Sequence, residues 1–221
     1  MDFVFMLTRA DRTIRDGIEV LEDVRPLGLR HIGFKDVGIE PAALAALHRR
    51  IKELGATSYL EVVSTTPEAC LQSARLAREV GFDRLLGGTQ VEEVLAILAG
   101  SRVQYLPFPG RPFGHPTQLR GSPADIARDC ERARALGAAG VDLLAYRSVE
   151  ADPIELVRAA RKAIDGTVLV AGGVCGPDQV RALAAVGADA FTVGSAVFDG
   201  SFAPRLGSLR SQVKAVLDAC G

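Results

Sequence analysis

Cysteine is sparse and unpaired: Cys70, Cys130, Cys175 and Cys220 lie far apart in the 221 residues, with no Cys-x-x-Cys spacing. That pattern excludes a zinc site built on paired cysteines and a dithiol redox centre. The expected state is a neutral, buried thiol, with Cys175 set apart because it follows two glycines and falls near any ligand held there. Histidine is scarcer still. His31, His48 and His115 fall at a strand start, within a helix and in a loop, so no metal ligand set is expected. The chain also lacks a basic stripe interleaved with aromatics. Its 26 basic and 27 acidic residues give a net charge of -1, which argues against nucleic acid as a partner. No uncharged stretch is long enough to span a bilayer, and Met1 to Arg9 begins with an acid and carries only a very short apolar run. The expectation is a cytoplasmic protein with no membrane partner.

What the chain has in quantity is a repeated unit. Hydrophobic residues make up 48% of the sequence, ample for a core. They fall into Ala/Leu/Arg-rich amphipathic segments, each followed by a glycine and then by a short run of Val, Leu, Ile and Phe. The glycine supplies the left-handed conformation that ends a helix. It stands at Gly28, Gly55, Gly81, Gly137 with Gly140, and Gly187, each before an apolar run. Adding Phe3 to Leu7, Arg102 to Leu106 and Thr167 to Ala171 makes eight apolar strands. Helices are predicted near 14–25, 41–54, 67–80, 91–99, 123–136, 153–164, 177–186 and 208–219. Near-continuous apolar strands alternating with helices imply a parallel sheet covered on both faces. Eight such units in this length close into an α/β fold, a (β/α)8 TIM barrel occupying residues 1–221 as a single domain. The rival, an open doubly wound sheet, lacks its dinucleotide fingerprint after Phe3 to Leu7.

In such a barrel the functional residues sit where strands end. Strand one offers Thr8, Arg9, Asp11 and Arg12; strand two, Lys35 and Asp36; strand three, Glu61, Ser64 and Thr65; strand four, Gly88, Thr89 and Gln90. After strand five comes Pro107 to Pro123, and strand six ends on Tyr146 and Arg147. Strands seven and eight end in glycine loops, Ala171-Gly172-Gly173-Val174 and Val193-Gly194-Ser195-Ala196. Glycine lets backbone N–H groups converge on an anion without side-chain obstruction. A short helical turn after Gly194 adds its positive dipole end.

These two loops, on adjacent strands of an eight-unit chain, resemble those of the ribulose-phosphate-binding barrel superfamily. There a Gly-Gly loop after strand seven and a Gly-Ser loop after strand eight hold the ligand phosphate. The resemblance implies phosphate binding at Gly172, Gly173, Gly194 and Ser195, and a small phosphorylated metabolite as partner. It covers the scaffold rather than one enzyme. The loops are similar to those of the sugar isomerases of histidine and tryptophan biosynthesis, but those place a carboxylate or cysteine at the end of strand one. Here that position holds Thr8 and Arg9, with Asp11 slightly beyond. The decarboxylases and hexulose-phosphate synthases carry Asp-x-Lys-x-x-Asp on strand three, where this chain reads Glu61-Val62-Val63-Ser64-Thr65-Thr66. The metal ligands of the ribulose-phosphate epimerase are absent too.

Lys35 stands out among the remaining groups. It is one of four lysines beside twenty-two arginines, and Lys52, Lys162 and Lys214 fall within helices. A buried amine can act as base, nucleophile or cation. Lys35 is therefore a candidate Schiff-base lysine or a cation that polarises an enolate, unless it only pairs with Asp36 or Glu61 to close the barrel end. Glu61 is expected to point inward and share proton transfer with it. Asp36 flanks Lys35, and His115, within a Pro/Gly-rich segment running from Pro107 to Thr117, is a further candidate titratable group. Thr8, Arg9, Arg111, Tyr146 and Arg147 are the candidate substrate contacts. The Pro107–Thr117 segment reads either as a mobile lid or as a pre-shaped wall.

The function expected is therefore action on a small phosphorylated sugar or sugar-acid-like substrate. It would be that of an isomerase or carbon–carbon lyase in carbohydrate metabolism, working through an enediolate or a lysine Schiff base, with no cofactor. Two rivals use the same phosphate loops: a flavin mononucleotide (FMN) oxidoreductase and a non-catalytic phosphometabolite-binding barrel. The choice between monomer and homo-oligomer stays open.

Overall fold

Five helices begin with proline at the first position, where the missing N–H is one the helix could not use and the fixed φ already suits it. These are α2 (Pro41–Glu53), α3 (Pro67–Val80), α5 (Pro123–Leu136), α6 (Pro153–Ala163) and α7 (Pro177–Ala185). Side chains just outside them complete several starts: Asp152 accepts from the amides of Ile154 and Glu155, and Ser122 forms a capping box with Asp125. The others are α1 (Gly17–Val24), α4 (Val91–Leu98), the short α8 (Ser195–Phe198) and α9 (Leu209–Ala219). The computed structural model describes residues 1–63 and 66–221, so Ser64 and Thr65 lie outside the described residues.

Between the helices run eight parallel strands: β1 (Asp2–Met6), β2 (His31–Lys35), β3 (Thr57–Val62), β4 (Arg84–Gly87), β5 (Gln104–Leu106), β6 (Gly140–Leu143), β7 (Thr167–Val170) and β8 (Ala190–Val193). They form one sheet in the order β6-β7-β8-β1-β2-β3-β4-β5. Chain order is thus kept, with β8 laid against β1 through pairs such as Phe3 with Phe191. The seam between β5 and β6 has no ladder. Two backbone hydrogen bonds join it, from the Ala139 amide to the Tyr105 carbonyl at 3.0 Å and from the Asp142 amide to the Pro107 carbonyl at 2.9 Å. The architecture is the (β/α)8 barrel that the repeat predicts.

In every strand each residue after the first is buried. A strand covered on both faces has to be apolar throughout, and burying a Leu, Val or Phe side chain contributes roughly 1.5–3 kcal/mol. A polar residue inside such a strand therefore costs stability unless it is paired. Lys35, Ser58, Glu61, Asp142 and Thr192 are the buried polar residues on these strands. Ser58 is accounted for structurally, since its amide and hydroxyl both donate to Asp83. The other four gather toward the C-terminal mouth.

Among the differences from the sequence reading, three change the local structure. Strand two starts at His31, because Arg25–Leu27 make a 3-10 turn closed by Gly28 at φ 60°. Strand six ends at Leu143, and Ala145–Arg147 turn as a second 3-10 segment. Tyr146 and Arg147 are therefore carried on a turn beyond the strand. The Pro-rich stretch after β5 forms a two-stranded antiparallel hairpin, Arg111–Phe113 with Gln118–Arg120.

Candidate active site

The chain leaves β1 and doubles back at once. Thr8–Arg9 pair antiparallel with Arg12–Thr13, leaving Ala10 and Asp11 as a two-residue turn with φ 45° and 58°. Both conformations are left-handed, and aspartate tolerates that region better than most side chains. Thr13 fastens the hairpin to β2: its hydroxyl donates to the Lys35 carbonyl at 2.7 Å and accepts from the Lys35 amide at 2.8 Å. The turn thereby carries the Asp11 carboxylate into the barrel mouth, where it is 5% exposed.

There Asp11 is the hub of a charged network. Its Oδ1 accepts from Lys35 Nζ and from an Arg147 guanidinium nitrogen, each at 2.9 Å. Its Oδ2 accepts from the other Arg147 nitrogen at 3.2 Å and from the Thr117 amide at 3.1 Å. Arg147 also donates to the Thr117 carbonyl at 3.2 Å. Lys35 and Glu61 are register partners on β2 and β3, which brings Lys35 Nζ to 3.4 Å from Glu61 Oε1. Asp142, on β6, is fully buried, and neither carboxyl oxygen has a hydrogen-bond partner. The four buried Asp, Glu and Lys side chains among the described residues all belong to this one cluster, the arrangement that marks functional sites.

The charges sort by environment. Burial pushes the Asp11 carboxyl up, but the Lys35 ammonium and Arg147 guanidinium outweigh it and hold the group at about 2. Burial pushes the Lys35 amine down, yet Glu61 and Asp11 prevail and raise it above its ordinary value, so it is an ammonium at neutral pH. Glu61 is raised, chiefly because burial penalises its charge more than Lys35 compensates. Asp142 is raised well above the carboxylate range by burial and then by the neighbouring Glu61. One firmly ionised acid, one cation and two carboxyls whose hold on a proton is strengthened by burial thus occupy the same mouth.

At this cluster is a cavity of about 220 Å³, lined by Thr8, Asp11, Lys35, Glu61 and Arg147 together with both glycine loops. Gly173 has φ 80°, and a Cβ there would lie 2.8 Å from the Cβ of Tyr146. At Gly194 a Cβ would meet the Thr8 hydroxyl at 2.5 Å. Only glycine fits either place. Thr192 accepts from the Gly172 amide at 3.4 Å, and the Ser195 hydroxyl accepts from the Ala10 amide at 3.3 Å, tying the loops to β8 and to the hairpin turn.

With this geometry in view, the comparisons with known proteins become specific. The model of the family described as "Histidine biosynthesis protein" matches residues 109–205, the part that carries both glycine loops. The orotidine 5'-phosphate decarboxylase from Pyrococcus horikoshii OT3 superposes with a TM-score of 0.69 at 18% identity, over 99% of this chain and 98% of that one. A mutant tryptophan synthase alpha-subunit from Pyrococcus furiosus superposes with a TM-score of 0.67 at 16% identity, over 98% of each chain. The fold is the TIM barrel of these solved structures. No curated protein sequence matches the chain.

In this barrel, Lys35, Glu61, Thr8, Arg147, Gly172, Gly173, Gly194 and Ser195 surround one cavity. Cys175 lines it too, with an exposed side chain. Other candidates are placed elsewhere. Asp36 turns toward α3, accepting from the Ser73 hydroxyl at 2.9 Å and the Val63 amide at 3.1 Å. His115 is exposed at the hairpin tip. Arg111 is exposed on the same hairpin, 3.8 Å from both Asp125 and Glu150. Arg9 points outward, donating to the Phe198 carbonyl at 2.9 Å and lying over its ring. Tyr146 is half-buried against Gly173. Among the described residues no group of three His, Cys, Asp or Glu is placed to hold a metal ion, and no helix is long and apolar enough to cross a membrane.

The sequence reading passed over Asp142 and Thr117 as site residues and left Asp11 short of the site. Asp142 had a visible signal, an acid enclosed by Gly140-Val141 and Leu143-Leu144 in an apolar strand. Asp11 was among the strand-one candidates, but the two-residue turn without glycine that carries it into the mouth had no signal in the sequence. Thr117 takes part through its backbone, which side-chain type does not reveal.

Proposed function

We propose that the chain is an enzyme for a small phosphorylated sugar or sugar acid, working through an enediolate, with the phosphate on the two glycine loops. The observation that carries this reading is the Lys35 ammonium, held between Asp11 and Glu61 in a cavity that those loops also line. Removing a proton from the carbon beside a carbonyl puts negative charge on its oxygen. A fixed cation in a partly dry site stabilises that charge, and a carboxylate whose hold on a proton is strengthened by burial can accept the proton and return it to the neighbouring carbon. Lys35 supplies the first group and Glu61 the second. Asp11, ionised throughout, positions Lys35 and Arg147. A Schiff base needs a neutral amine, and two carboxylates on Lys35 oppose that state, so the enediolate is favoured over it. Isomerisation is the direct outcome, and carbon–carbon cleavage shares the same intermediate.

The test is proton exchange. Phosphorylated aldoses and ketoses incubated with the protein in D2O are expected to gain deuterium beside the carbonyl, seen by NMR, and Glu61→Gln is expected to abolish the gain. A borohydride-trapped mass adduct on Lys35 would replace the enediolate with a Schiff base. Flavin absorption bands in the purified protein would replace it with an oxidoreductase, and tight sugar-phosphate binding without exchange by any substrate would replace it with a binding protein.

A further inference from the structure

Arg9, a candidate substrate contact that the proposed site leaves unused, lines a different cavity. This one measures about 670 Å³ and is bounded by the hairpin after β1, by α1, by α8 and by the loop that leads into α9. Its charges are unpaired. Arg9, Asp16 and Asp199 all line it, and among the described residues none of the three takes part in an ion pair. Arg9 gives one N–H to the Phe198 carbonyl and lies over that ring, Asp199 accepts from the Ser201 amide, and Asp16 stands at the start of α1 without capping it. Elsewhere exposed arginines find carboxylates, as Arg132 does with Glu92 and Arg210 with Asp23. Ile14, Val20, Leu206 and Leu209 add apolar lining, and Leu206 is left 41% exposed.

Such a lining selects a ligand by charge. A simple anion would gain Arg9 and meet two carboxylates, and a simple cation would gain the carboxylates and meet Arg9. An uncharged apolar molecule would strip water from all of these charges and pair with none. A zwitterion satisfies both signs, because a carboxylate pairs with a guanidinium through two parallel N–H bonds and an ammonium pairs with a carboxylate. Arg9 has the donors for this, since one bond to Phe198 is all it makes. The apolar lining calls for an apolar side chain on the zwitterion, and the volume lies within the range of about 300–1,000 Å³ usual for small-molecule sites.

We propose that this cavity is an effector site for a free amino acid with an apolar side chain, and that its occupation weakens phosphate binding at the glycine loops. The regulation rests on the proposed phosphate site; the amino acid site stands without it. Two short connections join the cavities. Asp199 and Ser201 line both, and the Asp199 amide donates to the Ser195 carbonyl at 2.9 Å. The Ala10 amide, next to Arg9, donates to the Ser195 hydroxyl at 3.3 Å, and Asp11 follows with its hold on Lys35 and Arg147. A ligand carboxylate competes with the Phe198 carbonyl for Arg9. That loosens the hairpin from α8, the two elements that carry Asp11 and Ser195.

Calorimetry on the intact protein tests it with L-phenylalanine and L-leucine. Each is paired with an analogue lacking the ammonium, 3-phenylpropanoate or 4-methylpentanoate, and one lacking the carboxylate, 2-phenylethylamine or 3-methylbutylamine. At least one of the two amino acids is expected to bind, and at least about tenfold more tightly than either of its analogues, which forgo one charge-assisted pair. Arg9→Gln is expected to bring the amino acid down to the level of its amine. In the unaltered protein, NOEs should run from the ligand's side-chain protons to the methyls of Ile14 and Leu206, a readout that needs no variant to fold. Saturating amino acid is expected to raise the dissociation constant of inorganic phosphate at least about fivefold, and saturating phosphate to raise that of the amino acid by the same factor. Binding of neither amino acid, or no preference over the analogues, would overturn the effector site and leave the phosphate reading standing if phosphate binds. Amino acid binding with phosphate affinity unchanged would overturn the regulation. Failure of inorganic phosphate to bind, with the amino acid bound, would overturn the phosphate reading and the regulation built on it.

Discussion

Lys35 Nζ lies 2.9 Å from Asp11 Oδ1, although the two residues reach the site from opposite ends of the connection between β1 and β2. The contact depends on a left-handed Ala10–Asp11 turn at one end and on the β2–β3 register at the other. On the proposed mechanism it divides labour in the mouth, with Asp11 fixing the cation and Glu61 left to exchange a proton.

Lys35→Met removes the cation and leaves Glu61 and Asp11 facing each other without it. Breaking a buried ion pair from one side typically costs about 3–5 kcal/mol, to be read by urea unfolding. Turnover on the true substrate is expected to fall by about 10²- to 10³-fold. Full activity in this variant would remove Lys35 from the mechanism.

Acid should weaken the fold through Asp11. In the folded chain this carboxyl titrates at about 2, and in the unfolded chain near its ordinary value of about 3.9. The folded state therefore holds fewer protons between those values, and stability falls as pH drops from about 4 toward 2, by about 2 kcal/mol in all. Asp11→Asn should be less stable at pH 6 and show a flatter loss of Tm in that window.

Asp142 works in the opposite sense. Burial, then Glu61, raise its folded-state value well above that of the unfolded chain. Its proton stabilises the fold at low pH, and that contribution declines as pH rises from the unfolded value toward the folded one. Asp142→Asn keeps the shape and removes the need for the proton. Tm is expected to rise at pH 8 and to change little at pH 4. A lower Tm at pH 8 would mean that the carboxyl has a charged role.

Gly173→Ala places a methyl 2.8 Å from the Cβ of Tyr146 on a backbone at φ 80°. The chain must shift there, at a cost of about 1–2 kcal/mol. Inorganic phosphate should bind at least about tenfold more weakly by calorimetry. Unchanged phosphate affinity would detach this loop from anion binding.

The barrel was legible because its signals are local and repeat: an amphipathic stretch, a glycine after it, then a short apolar strand. α3 and α5 match their predicted spans, 67–80 and 123–136, on those signals. Lys35, Glu61 and the glycine loops were also readable, since strand ends locate them. The contacts that join them were not. Asp11 reaches Lys35 only through a hairpin that no glycine announces, and Arg147 reaches Asp11 across 136 residues of chain. The Pro107–Thr117 segment, which the sequence left between lid and wall, carries a hairpin, with Thr117 bonded to both residues of that ion pair.

The β5–β6 seam gives the mouth two kinds of edge. From β6 through β8 and β1 round to β5 the sheet is one continuous ladder, and both glycine loops are mounted on it. The hairpin after β5 springs from the gap that two amides, those of Ala139 and Asp142, hold shut. Local opening starts where backbone bonding is thinnest, so these two protons should be among the earliest barrel amides to exchange with solvent. The mouth therefore has a fixed anvil at the glycine loops and a hinged cover at the hairpin.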